Sequence, residues 1–176
     1  MKKTPRKSVR RRSPAGQRLR EQWRDFIDRI HEALDNEDDL AVEAVIESFR
    51  AHVQQAAAAG VEMSVAWHAL GMWTWDSDER ILCFGRALTC VAKEELQTPP
   101  ANPLERWTYV HYKALCRFEI ARALATEGRL DDARAFLEEA LPYARAAEDM
   151  PVQGETLEGN LEGRIAGELI LLEAQE

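Results

Sequence analysis

Cysteine is scarce in this chain, with three residues in 176, too few and too scattered for a disulfide framework. Cys83 and Cys90 lie seven apart on a predicted helix, about 10 Å of axial rise and beyond the reach of a disulfide. The pattern predicts buried free thiols in a reducing compartment. No apolar run approaches the roughly 18 residues needed to cross a bilayer, and the basic N-terminal stretch lacks the apolar core of a secretory signal. The expectation is a cytoplasmic protein without membrane contact. β-branched residues are sparse and rarely alternate with polar ones, which argues against strands. Acid is missing from residues 1–20, which hold nine Lys or Arg. That leaves 14 of the 23 bases against all 31 acids in residues 21–176, a net −17. A body so acidic repels a phosphate backbone, so any nucleic-acid contact falls to the arm.

Ala, Leu, Glu and Arg dominate what remains. With 45% hydrophobic and 31% charged residues, the composition predicts one almost purely helical domain. Residues 1–13 read as a solvated basic arm carrying Lys2, Lys3, Arg6, Lys7, Arg10, Arg11 and Arg12. Ser13 and Pro14 look like a cap and first turn. From there Leu19, Trp23, Phe26, Ile27, Ile30 and Leu34 recur at helical spacing. A second helix opens near Asn36 with the stripe Leu40, Ala41, Ala44, Val45, Phe49, Val53 and Ala56, and Gly60 stops it. Residues 14–60 are thus one hairpin and 61–96 a second. The latter has an apolar helix over Met63–Trp75 and a partner opened by a capping box at Asp76 and Glu79.

QTPPANP at 97–103 is the clear internal loop. A third hairpin follows over 103–147, its first helix long enough for the opening turns to project and its second bearing Pro142, which should kink or loosen it. A terminal helix over 151–174 opens at Pro151. Gly159, Gly163 and Gly167 lie four apart on it and suggest close packing onto the sixth helix, since each mid-helix glycine costs about 1 kcal/mol against alanine.

The stretch Gly128–Leu141, GRLDDARAFLEEAL, sets small Ala133 and Ala140 around Leu137 on one helical face behind a turn glycine. Together with Ile120, Ala121 and Leu124 it resembles a tetratricopeptide repeat, a 34-residue helical hairpin that stacks into a scaffold. Trp67, Leu70 and Gly71, then Phe84, Ala87 and Leu88, are similar to the opening and close of another such unit with a shorter turn. The resemblance implies an all-α fold of about seven helices, stacked as a short right-handed solenoid. It also implies a partner-binding groove on the first helices of the hairpins. Carried onto matching positions, that groove presents His68, Met72 and Trp75, then Phe118, Arg122 and Thr126.

Catalytic and metal chemistry find little purchase. No glycine-rich phosphate loop is present. His31, His52, His68 and His111 are isolated, with no His or Cys pair at i, i+4, and Asp76–Glu79 lacks the glycine and distant glutamate of a calcium loop. No cofactor, metal or enzyme activity is expected. Trp67 and Trp73 read as core, Trp23 as the closure of the first hairpin, and Trp75 and Trp107, near helix ends, as better placed than these to face a partner. Three roles stay open: a non-catalytic adaptor or chaperone-like scaffold binding a protein segment in the groove; a nucleic-acid or ribonucleoprotein accessory subunit acting through the basic arm; and a homodimer through the apolar run Leu169, Ile170, Leu171 and Leu172.

Overall fold

The structure, a computed structural model, describes residues 14–150 and 160–174, with side chains from Gln17 onward. These residues form seven α-helices and no strand: α1 (Pro14–Asp35), α2 (Asp39–Ala58), α3 (Ser64–Trp73), α4 (Ser77–Gln97), α5 (Pro103–Thr126), α6 (Leu130–Glu148) and α7 (Leu161–Glu173). The all-α expectation holds for the described residues. Pro151, Leu157 and Gly159 lie outside the described residues, as do Ser13 and the seven basic residues of the arm. Successive helices pack against one another along the chain, and α1 also meets α3 while α5 meets α7.

Local chemistry sets the turns. Asp38, not Asn36, caps α2: its Oδ1 accepts from Ala41 N at 2.9 Å, while the Asn36 amide donates back to Glu32 O at 2.8 Å and closes α1. Gly60 and Gly128 have φ of +75° and +72°, the left-handed geometry that ends a helix. After α5 the Arg129 N–H reaches Leu124 O at 3.0 Å and the Gly128 N–H reaches Ala125 O at 3.0 Å, and Val61 and Gly60 repeat the pair after α2 at 2.9 Å each. The box at Asp76 and Glu79 is half made. Asp76 Oδ1 accepts from Glu79 N at 2.8 Å, but the Glu79 carboxylate turns to Arg50 on α2, at 2.6 Å from Nε and 2.9 Å from Nη2. A bidentate guanidinium is a stronger partner than one backbone N–H.

The interior is two clusters meeting at α4. Leu19, Phe26 and Ile30 of α1, Val42, Val45, Ile46, Phe49 and Val53 of α2, and Ala66, Trp67 and Leu70 of α3 fill the first, with Cys83, Ala87 and Cys90 of α4. Phe26 stacks on Phe49 at 4.1 Å. Phe84 belongs to the second cluster with Phe118, Ile120, Leu124, Leu137, Ala140, Ile165 and Leu172. Four details depart from the periodicity. Leu40 is 79% exposed and Ala44 is exposed, their places inside taken by Val42 and Ile46; Leu34 is likewise outside and Ala33 inside. The apolar helix ends at Trp73, because Thr74 turns extended and donates its hydroxyl to Leu70 O at 2.8 Å. By contrast α6 runs through exposed Pro142 to Glu148, close to the extent expected of it. The α7 glycines do not serve contact with α6: a methyl at Gly163 would strike the Asn160 side chain that caps α7, and one at Gly167 would meet nothing within 4 Å.

Candidate ligand groove

Three adjoining depressions, which share lining residues, lie against α1, α3, α4 and α5. The uppermost, about 290 Å³, is lined by Trp23 and Ile27 of α1, Val65, His68, Ala69, Met72 and Trp73 of α3, and Tyr112 of α5. Val65 and Tyr112 are shared with a middle pocket of about 190 Å³ that adds Ser64, Val91, Glu94, Glu105, Thr108 and Tyr109. Glu94 and Tyr109 are shared with a lower cleft of about 600 Å³ reaching Arg20, Glu62 and Lys93. Ser64 opens α3 without a cap of its own. Instead Glu94 of α4 takes both Ser64 N at 2.9 Å and Ser64 Oγ at 2.8 Å, and the acid satisfies the positive helix end.

The upper notch is apolar and aromatic. The His68 ring lies between Tyr112 at 5.3 Å and Phe84 at 5.4 Å. Met72 is 48% exposed. The Trp23 indole N–H is buried without a hydrogen-bond partner among the described residues, a deficit worth about 1–3 kcal/mol.

Beyond Phe84 the character changes from apolar to basic. Arg80 of α4 lies over the Phe84 ring at 6.0 Å and reaches Glu119 of α5 at 3.5 Å; Arg122 contacts the same carboxylate at 3.4 Å. The Glu119 side chain is 3% exposed. Arg122 and, from α7, Arg164 lie over Phe118 at 5.8 and 4.7 Å.

Of the six groove positions, His68 and Met72 line the notch, while Arg122 and Thr126 are exposed further along α5. Trp75 is 83% exposed in the turn after α3, outside the pockets described. Phe118 is a correction: it is 2% exposed, a core ring beneath two arginines. The α5 face running on from Tyr112 passes through Glu119, Arg122 and Thr126, at i, i+7, i+10 and i+14, so the residue-by-residue register slipped at Phe118. Trp107, near the start of α5, stacks on buried His111 at 4.5 Å. Of the run at the end of α7, Leu172 is buried and Leu169 packs on the core, leaving Ile170 and Leu171 exposed. Trp23, Ile27, Tyr112, Arg80 and Glu119 were not anticipated as site residues; a carboxylate amid the apolar stretch Ala114–Ala125 was the available signal for the last.

Among the described residues no three His, Cys, Asp or Glu are grouped to hold a metal ion, and no helix is long and apolar enough to cross a membrane. Burial pushes the thiols of Cys83, Cys90 and Cys116 up to about 12 from the ordinary 9.0, with Glu79 adding at Cys83 and Glu62 at Cys90. Each therefore holds its proton more tightly folded than unfolded. That contribution is complete below pH 9.0 and is lost as pH climbs from there toward 12. The native protein should resist a thiol reagent at about pH 8 until it unfolds, and its urea midpoint should fall as pH rises above 9.0. Rapid labelling of a folded thiol would contradict this.

No family model matches the chain, and no curated protein or solved structure matches it either.

Proposed function

We propose that the protein is a non-catalytic adaptor or chaperone-like scaffold, its hairpins stacked as a short tetratricopeptide-like solenoid that holds a partner segment along α1, α3 and α5. The observation that carries this reading is the notch itself. Half-exposed Met72 rises among Trp23, Ile27, His68, Trp73 and Tyr112, giving an apolar, adaptable seat of the kind where binding energy concentrates. Polar groups extend it below, at Ser64, Glu94, Thr108 and Tyr109.

Met72→Glu puts a charge at this seat with little cost to the fold, since the side chain is 48% exposed. Affinity capture with the variant should recover the partner at about ten-fold lower yield or worse, at an unchanged melting temperature. Equal recovery would remove the groove as the binding site.

A further inference from the structure

We propose that Arg80, Arg122 and Arg164 form an acid-reading end of this groove, which selects in the partner segment a side-chain carboxylate placed four or five extended residues from the apolar group seated beside Tyr112 in the notch. The inference rests on the segment-binding reading and adds the chemistry of the segment.

Guanidinium groups outnumber carboxylates here by three to one. Glu119 is the only carboxylate within ion-pair distance of Arg80 and Arg122 among the described residues, at 3.5 and 3.4 Å, and Arg164 has none. The Arg80 Nε is buried without a hydrogen-bond partner among those residues. This positive spot belongs to a body that is otherwise strongly acidic, with 14 of the chain's 23 bases facing all 31 of its acids over residues 21–176. A surplus of cations beside the notch, linked to it through Phe84, which meets both His68 and Arg80, is complementary to an acidic occupant on such a body.

The site is also pre-ordered. Phe118 is a buried floor for Arg122 and Arg164, and stacking fixes planar guanidinium groups while leaving their edges open for a bidentate acceptor. Distance sets the spacing. Tyr112, which lines the notch, and Arg122 are ten residues apart on one helix, about 15 Å of rise, and four or five residues of extended chain cover that length.

The test uses the full chain and a synthetic library of peptides about ten residues long. One position is fixed as Leu or Phe, and Glu, Gln or Lys is placed three to six residues away. Glu should be preferred over Gln by about five-fold at a spacing of four or five. The preference should vanish in Arg122→Gln/Arg164→Gln and turn toward Lys in Arg122→Glu/Arg164→Glu, with thermal melts showing that both variants fold. Met72→Glu should weaken all peptides alike. Equal binding of Glu and Gln, or a preference that survives the arginine substitutions, would overturn the acid-reading end and leave the groove standing. Peptide binding indifferent to Met72→Glu would overturn the groove itself, and this inference with it.

Discussion

Phe84→Ala should destabilise the fold by about 3–5 kcal/mol, the range for emptying a buried aromatic site, against a total of about 5–15 kcal/mol for a domain of this kind. The side chain is 0% exposed and belongs to the second core cluster, while Cys83 and Ala87, its neighbours on α4, belong to the first. One ring therefore couples the two interiors. Its edge meets His68, its face lies under Arg80, and it packs so tightly on α3 that a methyl at Gly71 would sit 2.9 Å from Cε1. Urea unfolding followed by tryptophan emission should show a lower midpoint, and Leu82→Ala, two residues away on the opposite face of α4 and 57% exposed, should stay within about 0.5 kcal/mol of wild type. The tight approach supplies a second check. Gly71→Ala should destabilise by about 1–3 kcal/mol through overpacking, and less in a Phe84→Leu background, because the atoms it strikes are then gone. A Phe84→Ala protein as stable as Leu82→Ala would show that the two interiors do not depend on this ring.

The helices were legible in the sequence where periodicity and end signals agreed. Asn102 with Pro103, and Gly128 after a long apolar stripe, marked α5 to within a residue, because a cap and a left-handed stop act over a few bonds of local chain. The faces of the helices were less legible. On α2, Leu40 is as apolar as Val42, and a 3.6-residue repeat leaves two registers open over the first turn; contact with α1 and α3 decides between them. Glu79 could cap its own helix or bridge to Arg50, and only the arrival of α2 at α4 resolves the competition. The glycines of α7 read as a packing stripe because spacing is visible in sequence, whereas the Asn160 cap that occupies the space beside Gly163 depends on the fold.

The groove divides in the same way. His68 and Met72 could be carried from a repeat-like spacing, since both lie one helical turn apart on a short, nearly all-apolar helix. Phe118 could not, because an aromatic residue and a carboxylate side by side on α5 exchange roles according to what packs above them. With Arg80 arriving from α4 and Arg164 from α7, the ring becomes floor and Glu119 becomes the buried counter-ion. That exchange brings together residues 80, 119, 122 and 164, a constellation drawn from three helices that no local window contains.

Glu119 should accordingly behave as a stability residue that opposes binding. Glu119→Ala leaves Arg80, whose side chain is 25% exposed, without a counter-ion; breaking a buried pair from one side costs about 3–5 kcal/mol, and the partial exposure of Arg80 and Arg122 lowers the expected loss to about 2–3 kcal/mol. Glu119→Gln keeps the shape and one acceptor and should lose about half as much. Replacing both partners, as Arg80→Leu/Glu119→Leu, should recover most of the loss, because an apolar pair carries no desolvation penalty. Binding should move the other way. With the fixed carboxylate gone, Arg80 and Arg122 are released to an incoming acid, so Glu119→Gln should bind a Glu-bearing peptide about three-fold more tightly than wild type while melting at a lower temperature. Tighter binding by a less stable protein cannot arise from general loosening of the groove, which would weaken both. If affinity instead falls in step with stability, Glu119 serves to position the arginines for the ligand, and the internal competition drawn here is wrong.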